Sequence, residues 1–161
     1  MTLLENVLIH GTLFAIVMTV YLLVVMKGLN PRVWAMSDYP EEITGIVPPQ
    51  TAEEKRLAAY TAIPFLILTF GFPIFSTLIL EASFGGTITI LDAFLNLFCL
   101  ILFGTLADLG ILDLLIVGTI TPDWVIIPGT EHLRETAYKD FRMYHAKGHA
   151  KATPILLLLA L

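Results

Sequence analysis

The stretch 88–128 constrains this chain more than any other feature. It is apolar along nearly its whole length, interrupted by Asp92, Asn96, Asp108, Asp113 and Asp123. A hydrocarbon core of roughly 30 Å is crossed by about 20 helical residues, so the stretch is too long for one simple crossing and too short for two with a proper loop. Any fold for the chain must absorb that excess.

A bilayer is the expected solvent. With 57% hydrophobic and 14% charged residues among 161, and a mean hydropathy of +0.82, the chain lies far from the roughly 25% charged content of soluble domains. The net charge of -5 is carried in blocks that leave long stretches almost uncharged, so it points to no acidic or basic partner, and nucleic acid is excluded. The lone Cys99 lies in an apolar run and rules out an internal disulfide. No internal repeat or linker divides the chain, so a single membrane domain over 1–161 is expected.

The expected fold is all-α, a polytopic helical bundle. Its spans cover about 3–26, 57–80 and 88–108, the last extending to about 120. Thr2 and Glu5 open the first span as a capping box, which reads as a retained helix and not a cleaved signal peptide. The connection 27–56 is polar and broken by Pro31, Pro40, Pro48 and Pro49, and Trp34 and Tyr39 are placed at headgroup level. Thr51 and Glu54 repeat the capping box before the second span, which Pro64 and Pro73 should bend. Gly85 and Gly86 mark the turn into the third span, where Thr89 and Asp92 form another helix start. A basic interfacial helix is expected over about 131–151, with Leu133, Ala137, Phe141 and Tyr144 as its apolar stripe. Its basic side chains face lipid headgroups in this reading. A candidate fourth span begins at 152.

All nine Lys and Arg residues fall in 27–56 or after the long stretch. The positive-inside rule then places both segments in the cytoplasm and the N-terminus outside, and has the long stretch cross once. Counting about 1.5 Å per residue from Ile90 puts Asp108 near the cytoplasmic boundary and leaves 109–128 as a tilted, interfacial or re-entrant continuation.

Two groups of residues carry candidate chemistry. His145 and His149 stand at i and i+4, where a helix aims two imidazoles the same way and can hold a metal ion. His132, Asp140, Asp108 and Asp113 are further ligand candidates. His10, Asp92, Asn96, Asp108 and Asp113 are the ionisable or polar groups of the apolar spans, where such residues mark ion or proton pathways. On a regular helix Asp108 and Asp113 face different ways, and meet only if the backbone departs from it, with Gly110 as the permissive residue. Otherwise Asp113 pairs with Arg134 or Arg142. A haem held between two histidines within the bilayer is disfavoured, because His10 is the single histidine inside a span.

The leading expectation is a small non-enzymatic membrane subunit or scaffold, surrounded by lipid and associated with itself or with a larger membrane protein. The alternatives are an ion, proton or small-solute pathway using His10 and the aspartates, and a membrane-embedded enzyme with a metal or acid/base site at the cytoplasmic interface. In that last case Asp108 and Asp113 are the catalytic candidates.

Overall fold

The computed structural model describes residues 1–159, and the side chains at 152, 153 and 155–159 lie outside that description, as does the expected fourth span that begins there. Among the described residues every regular element is helical. Helix α1 is Leu3–Gly28, and two single turns, α2 at Pro31–Trp34 and α3 at Glu41–Thr44, occupy the connection. Helix α4, Ala52–Leu66, continues through a π-type turn at Ile67–Gly71 into α5, Phe72–Ser83. Helix α6, Ile90–Ala107, runs on as a π-type segment over Asp108–Ile120, and α7 is Ala137–Leu159. Three continuous helices, Leu3–Gly28, Ala52–Ser83 and Ile90–Ile120, are long and apolar enough to cross a membrane.

The helix starts follow the sequence. Thr2 Oγ1 accepts from the Glu5 amide at 3.2 Å while the Glu5 carboxylate accepts from the Thr2 amide at 2.8 Å. Thr51 and Glu54 do the same, and Thr89 Oγ1 accepts from the Asp92 amide. These bonds satisfy amides that have no partner in the first helical turn. Pro64 and Pro73 flank the π-type turn Ile67–Gly71, a local change of winding that accommodates their missing N–H groups without ending the helix.

The three long helices alternate in direction. At one end Asn6, Ser76 and Asn96 meet; toward the other, the Tyr21 hydroxyl donates to the Thr61 carbonyl and Arg32 bonds Glu54 at 2.7 Å. Helices α1 and α6 therefore run parallel, and two reciprocal contacts set how closely they approach. A Cβ at Gly11 would lie 2.9 Å from Phe103 Cγ, and one at Gly104 would lie 2.6 Å from Phe14 Cε1. Small residues that admit a neighbour's side chain are the usual means of close helix approach where the surroundings are apolar.

The main apolar core lies at the Arg32 end. Met26, Ala35, Tyr39, Ile43, Leu112, Val117 and the run Val125–Ile127 close against Ala137, Tyr138 and Phe141. The expectation that Trp34 and Tyr39 sit at headgroup level is corrected for Tyr39. It is 4% exposed, its hydroxyl donates to the Val125 carbonyl at 3.0 Å, and its ring stands edge-on to Tyr138 and Phe141. The expected helix over 131–151 is also redrawn. A short 3-10 turn at Glu131–Leu133 precedes α7, which starts at Ala137. Its buried stripe is Ala137, Phe141 and His145, while Tyr144 faces outward.

Because a Cβ at Gly104 would lie 2.6 Å from Phe14 Cε1 and Phe14 must shift to admit it, Gly104→Ala should cost about 1–3 kcal/mol of stability, the usual penalty for overpacking. Thermal unfolding in mild detergent measures it, and an unchanged midpoint would show that this helix crossing is looser than described.

Candidate functional site

The site is built where the third long helix ends. In the segment Asp108–Ile120 the winding is wider than in an α-helix, as the Thr121 amide shows by donating to the Ile116 carbonyl at 2.7 Å, five residues back. Residues five apart then fall on one face. This brings Asp108 and Asp113 together, and wider turns also take up the excess length that the sequence imposes. The expected bend at Gly110 is replaced by this change of winding.

The helix stops at Thr121, whose φ of +49° lies in the left-handed region, uncommon for a β-branched residue. Three hydrogen bonds hold this end in place. Thr121 Oγ1 donates to the Val117 carbonyl at 2.7 Å, Lys139 Nζ donates to Thr121 Oγ1 at 2.9 Å and to the Thr119 carbonyl at 2.8 Å. Arg142 Nε adds a bond to the Gly118 carbonyl at 2.9 Å. Two cations of α7 thus cap the negative end of the third helix. Gly118 is what lets α7 come so near, since a Cβ there would lie 2.4 Å from Arg142 Cγ.

One and two turns beyond those caps, α7 presents His145 and His149 to Asp113. His145 Nδ1 lies 2.7 Å and His149 Nε2 3.0 Å from Asp113 Oδ2, and Asp108 Oδ2 is 3.7 Å from His149 Nε2. The His145 ring stacks on Phe141 with centroids 3.8 Å apart, and its Nε2 is 3.2 Å from the Asp38 backbone carbonyl. A carbonyl only accepts, so Nε2 carries a proton. Nδ1 then either holds a second proton for Asp113 or offers a lone pair to a cation. A carbonyl that holds the far ring nitrogen in this way fixes ring orientation and tautomer in histidine metal ligands.

Electrostatics agree with the geometry. Burial pushes the His145 imidazole toward its neutral form, but the Asp113 carboxylate outweighs it and the net value lies above that of ordinary histidine. For His149 the bond to Asp113 is the main influence, and its value is raised as well. His145, His149 and the ligand atom of Asp113 all lie within 4.8 Å of one another. A cleft lined by Ser37, Asp38, Asp140, Lys147 and both histidines opens onto the cluster.

The other expected residues lie elsewhere. His132 is exposed in the turn before α7, and Asp140 is exposed on the wall of the cleft. The expected pairing of Asp113 with Arg134 or Arg142 is overturned, for Arg134 bonds Asp123 and Arg142 caps Gly118. Asp92 bonds the Thr89 hydroxyl at 2.7 Å, as its helix-start role requires. His10 and Asn96 belong to a separate network at the opposite end of the bundle. There the Asn6 amide donates to Ser76 Oγ at 2.8 Å and Asn96 Oδ1 at 2.7 Å, the Asn96 amide donates to Thr77 Oγ1 at 3.0 Å, and His10 Nδ1 lies 2.9 Å from Ser76 Oγ. The pathway candidates therefore fall into two groups, with Asp108 and Asp113 in one and His10 and Asn96 in the other. Lys139, Arg142 and the Asp38 carbonyl carry positional roles that no sequence spacing signals.

A histidine whose folded value is raised adds stability that is fully present below its unfolded value and is lost as pH rises through the folded one. In chelator-treated protein, stability should therefore fall as pH rises from about 6.5, and Asp113→Asn should flatten that slope. Thermal unfolding against pH reads this, and stability that climbs over the same interval would contradict the histidine–aspartate pairing. No known protein family, curated protein or solved structure matches this chain.

Proposed function

We propose that this chain is an integral membrane protein that binds a divalent transition-metal ion through His145, His149 and Asp113, with Asp108 beside them. The observation that carries the reading is the convergence of three ligand atoms within 4.8 Å, from two imidazoles and one carboxylate on two packed helices. Ligands about 2.1 Å from a tetrahedral ion stand about 3.4 Å apart, so the present 2.7 and 3.0 Å would open by roughly half an ångström, and the third pair of ligand atoms is at most 4.8 Å apart. Nitrogen and oxygen donors without thiolate suit zinc, iron or manganese. Two histidines and one carboxylate leave coordination positions free, and the cleft gives an outside ligand access to them. Bound there, such an ion would polarise an oxygen ligand or activate water.

The membrane orientation follows from charge. The ends of the helices bring the segments that hold all nine Lys and Arg residues to one end of the bundle, where Arg32 meets Glu54 and Tyr39 meets Val125. That end is cytoplasmic by the positive-inside rule, the metal cluster lies at the cytoplasmic boundary, and the N-terminus is outside. A cysteine at Gly85 should react with an impermeant reagent on intact cells and one at Thr44 should not; the reverse pattern would invert the topology.

A second reading, a non-enzymatic subunit of a membrane assembly, is favoured by one observation. Helix α4 buries none of its residues, which leaves a whole helix face for lipid or a partner.

Protein purified without chelator should carry near-stoichiometric metal by elemental analysis. His145→Ala, His149→Ala and Asp113→Asn should each lose it while keeping their helical circular dichroism, Asp108→Asn should weaken it, and His132→Ala and Asp140→Asn should retain it. A folded wild type that holds no metal and takes up none of added zinc, iron or manganese sinks the metal reading and leaves the subunit.

A further inference from the structure

A second opening adjoins the cluster from the opposite side. Between the three long helices lies a crevice of about 80 Å³, walled by Phe14, Met18, Leu22, Phe65 and Ile101 and ending at Asp108. Its volume is about half that of an engineered cavity that holds benzene, room for a short stretch of one hydrocarbon chain, the rest of which would continue along the open side. Its walls come from segments that are long and apolar enough to cross a membrane, so its open side faces hydrocarbon once the chain is inserted.

Two polar features set this crevice apart from an ordinary gap between helices. Thr69 lines it, and the Thr69 hydroxyl is buried with no hydrogen-bond partner, an arrangement that is costly unless a ligand or water completes it. Thr69 lies in the π-type turn Ile67–Gly71, a winding found frequently at functional sites. The second feature is Asp108 itself. Its carboxylate belongs both to the crevice and to the cluster, 3.7 Å from His149 Nε2.

We propose that the metal site serves a long-chain amphiphile, whose hydrocarbon nearest the head lies in this crevice and whose oxygen-bearing head reaches Asp108 and the metal beside His149. The inference rests on the metal reading above and adds the ligand class. The apolar crevice recognises the chain, the cleft lined by Asp38, Asp140 and Lys147 admits small polar partners, and Asp108 marks the junction. A wholly polar ligand would leave the crevice without a role, and a wholly apolar one would leave the Thr69 hydroxyl unmatched.

The test uses the full chain in phosphatidylcholine nanodiscs, with a long-chain fatty acid bearing a photoreactive diazirine on a carbon in the half of the chain nearer the carboxylate as the probe. Metal content is measured on the same samples. Cross-links should concentrate on Met18, Phe65 and Ile101, and removing the metal should reduce them. Leu22→Trp, which fills the crevice without touching a ligand, should abolish them and leave metal content unchanged. Full metal loading with cross-links spread over outward-facing Ile63, Ile74 and Leu78 overturns the amphiphile and spares the metal site, as does labelling that Leu22→Trp leaves intact. A wild type without metal instead removes the reading on which the inference rests.

Discussion

The capping of the third helix by α7 is the interaction on which the rest of the site depends. A helix ends with carbonyls that lack partners, and those at Gly118 and Thr119 would be left with little water at the edge of an apolar bundle. Lys139 and Arg142 supply the missing donors. In doing so they fix the rotation of α7, because both caps and both histidines leave the same helix. His145 is six residues beyond Lys139 and three beyond Arg142, so an α7 bound at the caps turns its imidazoles toward Asp113 and not toward solvent. The left-handed backbone of Thr121 is held in that conformation by the same bonds.

The helical architecture was largely legible, because length, hydropathy and capping residues act locally. Thr2 with Glu5 and Thr51 with Glu54 announce helix starts that the structure keeps, and the three apolar runs become three long helices. The winding of 108–120 was not legible. Whether a turn closes on four or five residues depends on packing against α7 and on the capped end at Thr121, both distant in sequence. An expectation of 100° per residue therefore set Asp108 and Asp113 apart, and the structure stacks them. The i, i+4 spacing of His145 and His149 set two imidazoles on one helix face, and the structure turns that face to Asp113. Their companion carboxylate could not be chosen from sequence, since His132, Asp140, Asp108 and Asp113 were equal candidates until the fold brought two of them near.

The opposite end of the bundle shows a different use of polar groups. Asn6, Ser76 and Asn96 are fully buried, one on each long helix, and they bond to one another. In apolar surroundings such bonds join helices because the alternative is an unsatisfied polar group in hydrocarbon. Together with the Gly11 and Gly104 contacts they fix the register of the three helices. That register carries Phe14 and Met18 to the depth of Ile101 and Gly104, so the polar network at one end also shapes the crevice that leads to the other.

Asp113 itself can accept either two imidazole protons or a metal ion, and the surrounding structure favours neither by shape alone. The His145 ring is fixed in plane by Phe141 and in tautomer by the Asp38 carbonyl, so exchanging proton for metal demands translation of the ligand atoms and not rotation of the ring. That translation is limited by the Lys139 and Arg142 caps, which hold α7 against the third helix. The ion proposed above needs ligand atoms about 3.4 Å apart, so it is reached by a translation of roughly half an ångström that leaves both caps in place, and the pair of helices can exchange proton for metal without repacking.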